Sequence, residues 1–372
     1  MAFAHTSGMA LILVVILVAL TFEFINGFHD TANSIATVVS TKVLTPRQAI
    51  LLAASTNLIG ALWGTAVAKT ISSGLIDAER VSITSGVIIC ALLGAIFWNL
   101  ITWWAGLPSS SSHALIGGLC GSALAASHHD WKVIVWAQPS SKHWWLGKGL
   151  LWKVLVPMVT SPIAGLILGF IVMGLLYVVF QNARPLRVNR FFGVAQMFSA
   201  GAMGLMHGTN DAQKTMGIIA LTLLGATKVG QLSDLPAWLS FLYTPEPKVH
   251  QDFEIALWIK VTCALTMAAG TAVGGWRIIR TLGHRMVKLH PINGFAAETS
   301  SAAVIAVATQ LGIPVSTTHN ISAAIMGVGA AKRLNAIRWS VVERILWAWV
   351  FTIPVSATAG YLLQRGSNLF KH

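Results

Sequence analysis

Two short polar runs, alike in content and set in apolar sequence, carry the residues able to do chemistry. The first, at 22–37, holds Glu23, Asn26, His29, Asp30 and Asn33. The second, at 206–217, reads Met-His-Gly-Thr-Asn-Asp-Ala-Gln-Lys-Thr-Met-Gly and holds Asn210, Asp211 and Lys214. Ionisable groups at membrane depth are costly and mark paths for ions or substrate. Two breaks of one kind, each inside a hydrophobic segment, point to a transporter site. Asp30 and Asp211 can bind a cation, take a proton, or accept a hydrogen bond from a protonated oxyanion. A buried polar network holding two broken helices together is the competing reading, and the two are compatible.

A second pair of sites follows two prolines. Ser109, Ser110, Ser111 and Ser112 come after Pro108, and Ser316, Thr317 and Thr318 after Pro314; His113 and His319 follow at once. A helix starting there offers unpaired backbone N–H groups, the positive end of its dipole and a set of hydroxyl donors. That suits an oxyanion that must also leave. Simple N-capping is the plainer account of one such tip, but two matching tips favour a site. The histidines divide evenly between structural and proton-relay roles. Glu298, and less strongly Glu23, are further acids in apolar segments and candidates for coupling. No Cys or His spacing resembles a zinc site.

The elements that position these groups must be membrane helices. Of 372 residues, 55% are hydrophobic and 10% charged, and mean hydropathy is +0.70. Apolar segments fall near 9–37, 47–70, 82–104, 110–126, 150–181, 191–224, 254–280, 294–311, 317–331 and 338–363. The expected fold is an all-α polytopic membrane protein of about 10–12 membrane helical elements, since a span needs ~20 residues. No cleavable leader stands out, and Cys90, Cys120 and Cys263 read as packing residues without disulfides. The net charge of +13 lies mostly between apolar segments, which fits topology and lipid contact and not nucleic-acid binding. The tryptophan pairs Trp103/Trp104, Trp144/Trp145 and Trp347/Trp349 read as interfacial anchors, and Gly117, Gly118, Gly121, Gly327 and Gly329 as close-packing points.

An internal repeat is visible. The tip 106–113 recurs at 312–319, 206 residues later, and Gly64-Thr65-Ala66-Val67 recurs as Gly270-Thr271-Ala272-Val273 at the same offset. Asp30 and Asp211 lie only 181 apart, so the second half carries an insertion, placed at 228–252 with Pro236, Pro245 and Pro247. Basic residues cluster at Lys42/Arg47, Arg184/Arg187/Arg190, Arg277/Arg280/Arg285/Lys288 and Lys332/Arg333/Arg338. Placing these loops in the cytoplasm inverts the two halves and makes 82–126 a hairpin with its tip at Pro108, while Lys132, Lys142 and Lys148 fall on the other side. The expected layout is a first inverted repeat at 1–150, a connecting helix and linker at 151–190, a second repeat at 191–335 and a C-terminal helix and tail at 336–372, with broken helices, two helical hairpins and both termini extracytoplasmic.

At 27–33, 106–113, 208–217 and 312–319 the chain resembles the PiT-type inorganic phosphate transporters, nearly end to end. The resemblance implies an inverted-repeat fold with phosphate near the midplane, symported with a cation, and no enzymatic activity. The family's twin motif is close to Gly-Ala-Asn-Asp-Val-Ala-Asn-Ala; Asp30 and Asn33 match one copy, Asn210 and Asp211 the other, and Glu298 the acid of the second half. His29, Lys214 and Asn57 depart from it: Lys214 replaces the later Asn, and Asn57 stands where a glutamate partner of Glu298 is common. These departures remove oxygen ligands that sodium needs. They resemble the bacterial low-affinity proton-coupled branch, which implies proton symport and phosphate carried as a complex with magnesium or another divalent metal.

The expectation is therefore a plasma-membrane phosphate importer without a resident cofactor, in contact with lipid and possible as a homodimer. Its substrate would be held by Asn33, Ser110, Ser111, Ser112, Asn210, Ser316, Thr317 and Thr318. Coupling would fall to Asp30, Asp211, Glu298 and Lys214. Sodium-coupled phosphate or sulfate symport on the same scaffold, an intramembrane phosphatase using His113 or His319, and a channel-like protein remain as alternatives.

Overall fold

The structure, a computed structural model, describes residues 2–73, 75–77, 80–81, 83–138, 147–232, 235–245 and 254–369. Lys142, Trp144, Trp145 and Pro247 lie outside these residues. The described residues form helices α1 Ala2–Ser40, α2 Pro46–Ala61, α3 Ala66–Ser73, α4 Ser85–Ala105, α5 Ser111–Ala126, α6 Val156–Phe180, α7 Pro185–Lys228, α8 Leu257–Val273, α9 Trp276–Arg280, α10 Pro291–Gln310, α11 Thr317–Lys332 and α12 Trp339–Leu369. Among the described residues, four spans are long and apolar enough to cross a bilayer: Gly8–Ser40, Ser85–Ala105, Leu151–Phe180 and Trp339–Leu369. Outward-facing side chains such as Leu17, Phe97, Val179 and Phe198 are more than half exposed, as a lipid-facing surface requires.

The breaks occur in a different pair of helices from those the polar runs suggested. α1 and α7 are continuous through 22–37 and 206–217. No proline interrupts either run, and the polar side chains recur at i, i+3, i+4 and i+7, which keeps them on one helix face with the backbone ladder intact. The chain is instead broken after α2, at Gly64 with φ +85°, and after α8, at Gly274 with φ +77°. That left-handed backbone cannot continue a helix. Leu257–Val273 and Trp276–Met286 bend by 59° there.

The described residues bury two apolar clusters. One gathers Val15 and Phe22 of α1 with Met216 and Leu223 of α7; the other gathers Ile35 and Val38 of α1 with Phe192 and Met203 of α7. α1 and α7 thus run in opposite directions between the clusters, with their polar stretches at the junction. Thr215 of α7 donates to Glu23 of α1, and Thr41, just after α1, donates to Gln196 of α7 at 2.8 Å, which is the antiparallel pairing. Packing relations come in pairs: α1 with α8 and α7 with α2, α5 with α12 and α11 with α6.

Glycines mark the closest approaches, and their positions correct the repeat register. A Cβ on Gly60 would meet Leu205 O at 2.1 Å, and one on Gly270 would meet Phe24 O at 2.1 Å. Likewise Gly27 faces Met267 O at 2.4 Å and Gly208 faces Asn57 O at 2.3 Å. Gly60 therefore corresponds to Gly270 and Gly64 to Gly274, so the tetrapeptide match of Gly64 to Gly270 is four residues out of register. Gly121 and Gly327 keep their 206-residue offset, each lying against a backbone carbonyl of α12 or α6. Gly60→Ala and Gly270→Ala are expected to lower stability by ~1–3 kcal/mol through overpacking. Gly225→Ala, which has nothing within 4 Å, should not; thermal unfolding in detergent distinguishes them.

The second half carries its insertion where expected: α1 and α2 are joined by 41–45, α7 and α8 by 229–256. Within 150–181, a π-helical turn at Leu151–Leu155 precedes α6, with Pro157 in the first turn and Pro162 inside the helix. Trp104 and Trp347 are exposed as anchors, but Trp349 is buried. It stacks on His319 at 4.0 Å and donates to Pro108 O at 3.0 Å. Trp103 packs on Phe28. An indole N–H that finds a tip carbonyl and a ring face is better used inside than at the interface.

Candidate functional site

The hairpin tips are built alike. Helices α4 and α10 end in Gly106 and Gly312, both left-handed at φ +66° and +64°. Leu107 N donates to Thr102 O at 2.8 Å and Ile313 N to Ala308 O at 2.9 Å, the bonds of a Schellman ending. The chain then turns and restarts at α5 and α11. Ser110 Oγ accepts from His113 N at 3.2 Å, and Ser316 Oγ from His319 N at 3.1 Å. These two residues are N-caps; the following Ser111, Ser112, Thr317 and Thr318 turn their side chains to the centre. Ser316→Ala is expected to cost about 1 kcal/mol of stability as a lost cap, measured by thermal unfolding.

At the centre, α1, α7 and both tips meet. Ser111 Oγ lies 2.8 Å from Asp30 Oδ2 and 2.7 Å from Asn26 Oδ1, and its one proton is donated to either acceptor in turn. Its counterpart, Thr317 Oγ1, donates to Asp211 Oδ2 at 2.9 Å. Asn33 Nδ2 reaches the opposite tip, at Thr318 Oγ1 (2.9 Å) and Thr317 Oγ1 (3.1 Å). Lys214, 181 residues after Asn33, reaches Ser112, 206 residues before Thr318. The two halves thus repeat each other's contacts, with one difference. Thr318 Oγ1 donates directly to Asp30 Oδ1 at 3.2 Å. At the equivalent place the Lys214 ammonium stands between Asp211 and Ser112, bonded to both, and also donates to Val315 O at 3.1 Å.

Every residue of this cluster is at most 2% exposed, so the site is closed to both sides. His29 Nδ1 lies 2.7 Å from Asp30 Oδ1 and its Nε2 3.0 Å from Thr102 Oγ1. Asn210 turns to Thr309 Oγ1 (2.8 Å) and Ile313 O. The carbonyl oxygens of Asn33 and Asn210 are buried without a hydrogen-bond partner. His113 and His319 meet edge to face at 4.9 Å between the two tips. Asn57 bonds Thr271 and His207, not Glu298.

Glu298 lies outside the central cluster. It accepts from Thr37 of α1 and from Ser199 and Gln196 of α7. Glu23 takes the other flank, held by Thr215. Positions 23, 30 and 37 of α1 are two turns apart in succession, so the three carboxylate sites form a file along one face. Sequence reasoning missed His207: its ring lies beside Asp211, Nε2 to Oδ2 at 3.0 Å, and its i, i+4 spacing to that acid was the available signal. At one end of the molecule a cavity of about 550 Å³ is bounded by His284, Lys288, His290, Lys332, Arg333 and Arg338, which gathers two of the basic loops.

Comparison with known proteins fits this geometry. The model of the phosphate transporter family matches residues 26–360. The chain belongs to that family. It is 42% identical over 350 residues to the "Probable low-affinity inorganic phosphate transporter" of Bacillus subtilis, covering 94% of this chain and 95% of that one. A protein of the same name from Rhizobium meliloti is 43% identical over 365 residues, covering 98% of each. Among solved structures, "The sodium-dependent phosphate transporter" shares the fold, with a TM-score of 0.76 at 21% identity over 97% of this chain and 99% of that chain. Membership in a phosphate transporter family makes this a membrane transport protein and sets the phosphatase alternative aside.

Proposed function

We propose that this phosphate transporter family member imports inorganic phosphate across the plasma membrane by symport with protons. The observation that carries the coupling is Lys214, whose ammonium fills the gap between Asp211 and Ser112. A fixed cation there stands in for a bound sodium ion and removes the oxygen-only surroundings that sodium needs. Asn33, Asn210, Ser111, Ser112, Thr317 and Thr318 grip the phosphate between the tips, and Ser110 and Ser316 hold the turns in shape. Asp30, Asp211 and Glu298 carry the proton coupling.

Charge supports a cation travelling with the anion. With Asp30 and Asp211 ionised, one ammonium leaves the pocket with net negative charge, and a phosphate dianion is repelled unless protons or a divalent metal accompany it. A neutral complex of phosphate with a divalent cation meets this condition. Antiparallel α1 and α7, paired packing and matching tips support two inverted halves, 1–150 and 191–335, with 151–190 and 336–372 flanking them. Rocking of one half against the other would open the closed site to each side in turn. The basic loops face the cytoplasm and both termini face out.

The test is uptake of labelled phosphate into proteoliposomes with sodium and pH gradients imposed separately. Saturable uptake in sodium-free buffer, driven by an inward proton gradient, is expected. Uptake that stops without sodium and returns with it overturns the proton reading in favour of sodium symport. Competition by sulfate equal to that by unlabelled phosphate overturns the choice of anion.

A further inference from the structure

The cavity of about 550 Å³ at one end of the molecule has no part in the phosphate grip or the coupling described above. His284, Lys288, His290, Lys332, Arg333 and Arg338 surround it, and all six are exposed. Among the described residues, no carboxylate lines it and none of these six side chains is in an ion pair. Like charges gathered round one space repel unless an anion lies among them. Lys288, Lys332, Arg333 and Arg338 thus present four cationic side chains to an incoming anion, with two imidazoles beside them.

This charge does not follow the internal repeat. The positions 206 residues before Lys288, His290, Lys332 and Arg333 are Ser82, Thr84, Ala126 and Ser127, none of them basic. A general excess of cytoplasmic cations orients a membrane chain wherever on that side the cations sit. It does not require two loops distant in sequence to close on one cavity. Nor does the lining suit a lipid. At the start of α7, Arg187 and Arg190 adjoin the exposed Phe191, Val194 and Phe198, the mixture that a headgroup and acyl chain need. Here the exposed amide of Asn335 stands among the cations, and Asn293, whose Oδ1 accepts from His290 N at 2.9 Å, forms part of the wall.

We propose that this cavity is a second anion site, separate from the transport site, for a soluble molecule bearing two or more phosphate groups. Its volume falls in the range of small-molecule sites, roughly 300–1,000 Å³, and is more than one phosphate group fills. Four cationic side chains likewise exceed what a single phosphate dianion neutralises. Occupancy has a mechanical consequence, which rests on the phosphate transport reading. α11 begins in the transport site with Thr317 and Thr318 and ends at the cavity with Lys332. Ser40, the last residue of α1, also lines the cavity, one turn beyond Thr37, which donates to Glu298. A ligand lodged between them ties α1 to α11 at this end. Opening the closed site toward the cavity requires those helices to part, so the bound anion slows transport.

Tripolyphosphate is the probe. Calorimetric titration of the full chain in detergent, in metal-free buffer at about 0.15 M salt to screen loose surface binding, is expected to show one tripolyphosphate bound per chain. Affinity should be unchanged in Asp30→Asn and fall at least ~10-fold in Lys332→Gln/Arg333→Gln, which removes two charge-assisted contacts. No binding, binding lost in Asp30→Asn, or full affinity in the folded double variant overturns the site. The wild-type and Asp30→Asn titrations decide the matter even if the double variant fails to fold. The same titration in nanodiscs with and without cardiolipin separates soluble phosphate groups from those of lipid. Equal affinity is expected, and a ~10-fold fall with cardiolipin assigns the cavity to headgroups and overturns the soluble ligand. Tripolyphosphate on both faces of proteoliposomes should slow labelled phosphate uptake at least ~5-fold and should not slow the double variant. No slowing, or slowing that persists in the double variant, overturns the regulatory role alone. Absent uptake under every gradient overturns the transport reading and leaves the titrations to decide the site.

Discussion

Lys214→Asn is expected to abolish sodium-free phosphate uptake and to make what remains depend on sodium. The ammonium is 2% exposed and its contacts include Asp211, Ser112 and Val315 O. Removing one partner of a buried ion pair costs about 3–5 kcal/mol, because the other charge is left uncompensated. Initial uptake rates should therefore fall at least ~100-fold without sodium. Asparagine restores the residue type of Asn33, its counterpart in the first half, and supplies the oxygen a sodium ion would need, so sodium should recover part of the rate. Lys214→Met supplies none and should not be rescued. Pairing Lys214→Met with Asp211→Asn should cost less stability than the two single changes together, as a double-mutant cycle in detergent would show. Normal sodium-free uptake by folded Lys214→Asn would sink the idea that this lysine replaces an ion.

The second large effect is expected at Asp30. Its carboxylate accepts from Ser111 of one tip and Thr318 of the other and lies against His29. It is the group through which α1 holds both hairpins. Asp30→Asn keeps the shape but turns one acceptor oxygen into a donor facing hydroxyls. Hydrogen bonds to charged groups contribute about 1.5–3 kcal/mol each, so loss of one alone predicts a ~10- to 100-fold fall in uptake, and loss of both more. A melting temperature close to that of the unaltered protein would show that the loss lies in the site. Uptake within twofold of normal would remove Asp30 from the binding and coupling machinery.

Several features were legible before any coordinates. Pro108 and Pro314, each leading into a run of hydroxyl residues, marked the hairpin tips, and the structure adds the left-handed Gly106 and Gly312 that end the helices before them. Asp30 and Asp211 stood out because ionisable groups in apolar segments need a reason to be there. Other features were misread. The runs 22–37 and 206–217 looked like helix breaks because polarity was counted and periodicity was not; Asn26, His29, Asp30 and Asn33 follow a helical face. The Gly64 and Gly270 match rested on identity of letters, and backbone conformation places Gly64 with Gly274. Trp349 could not be told from its exposed neighbour Trp347, since two tryptophans two residues apart on a helix face different ways and only the packing partner says which is inside.

Residue order alone determined the helical membrane character, the twofold repetition, the two capped tips and the acids, because each follows from local spacing, hydropathy or backbone preference. Only the folded chain decided which tip each polar group reaches. Asn33 crosses to Thr318 and Lys214 crosses to Ser112 because antiparallel α1 and α7 bring residues more than a hundred positions apart within hydrogen-bond distance. No local rule encodes those distances; they arise from glycine-lined helix contacts that fix how closely the halves approach.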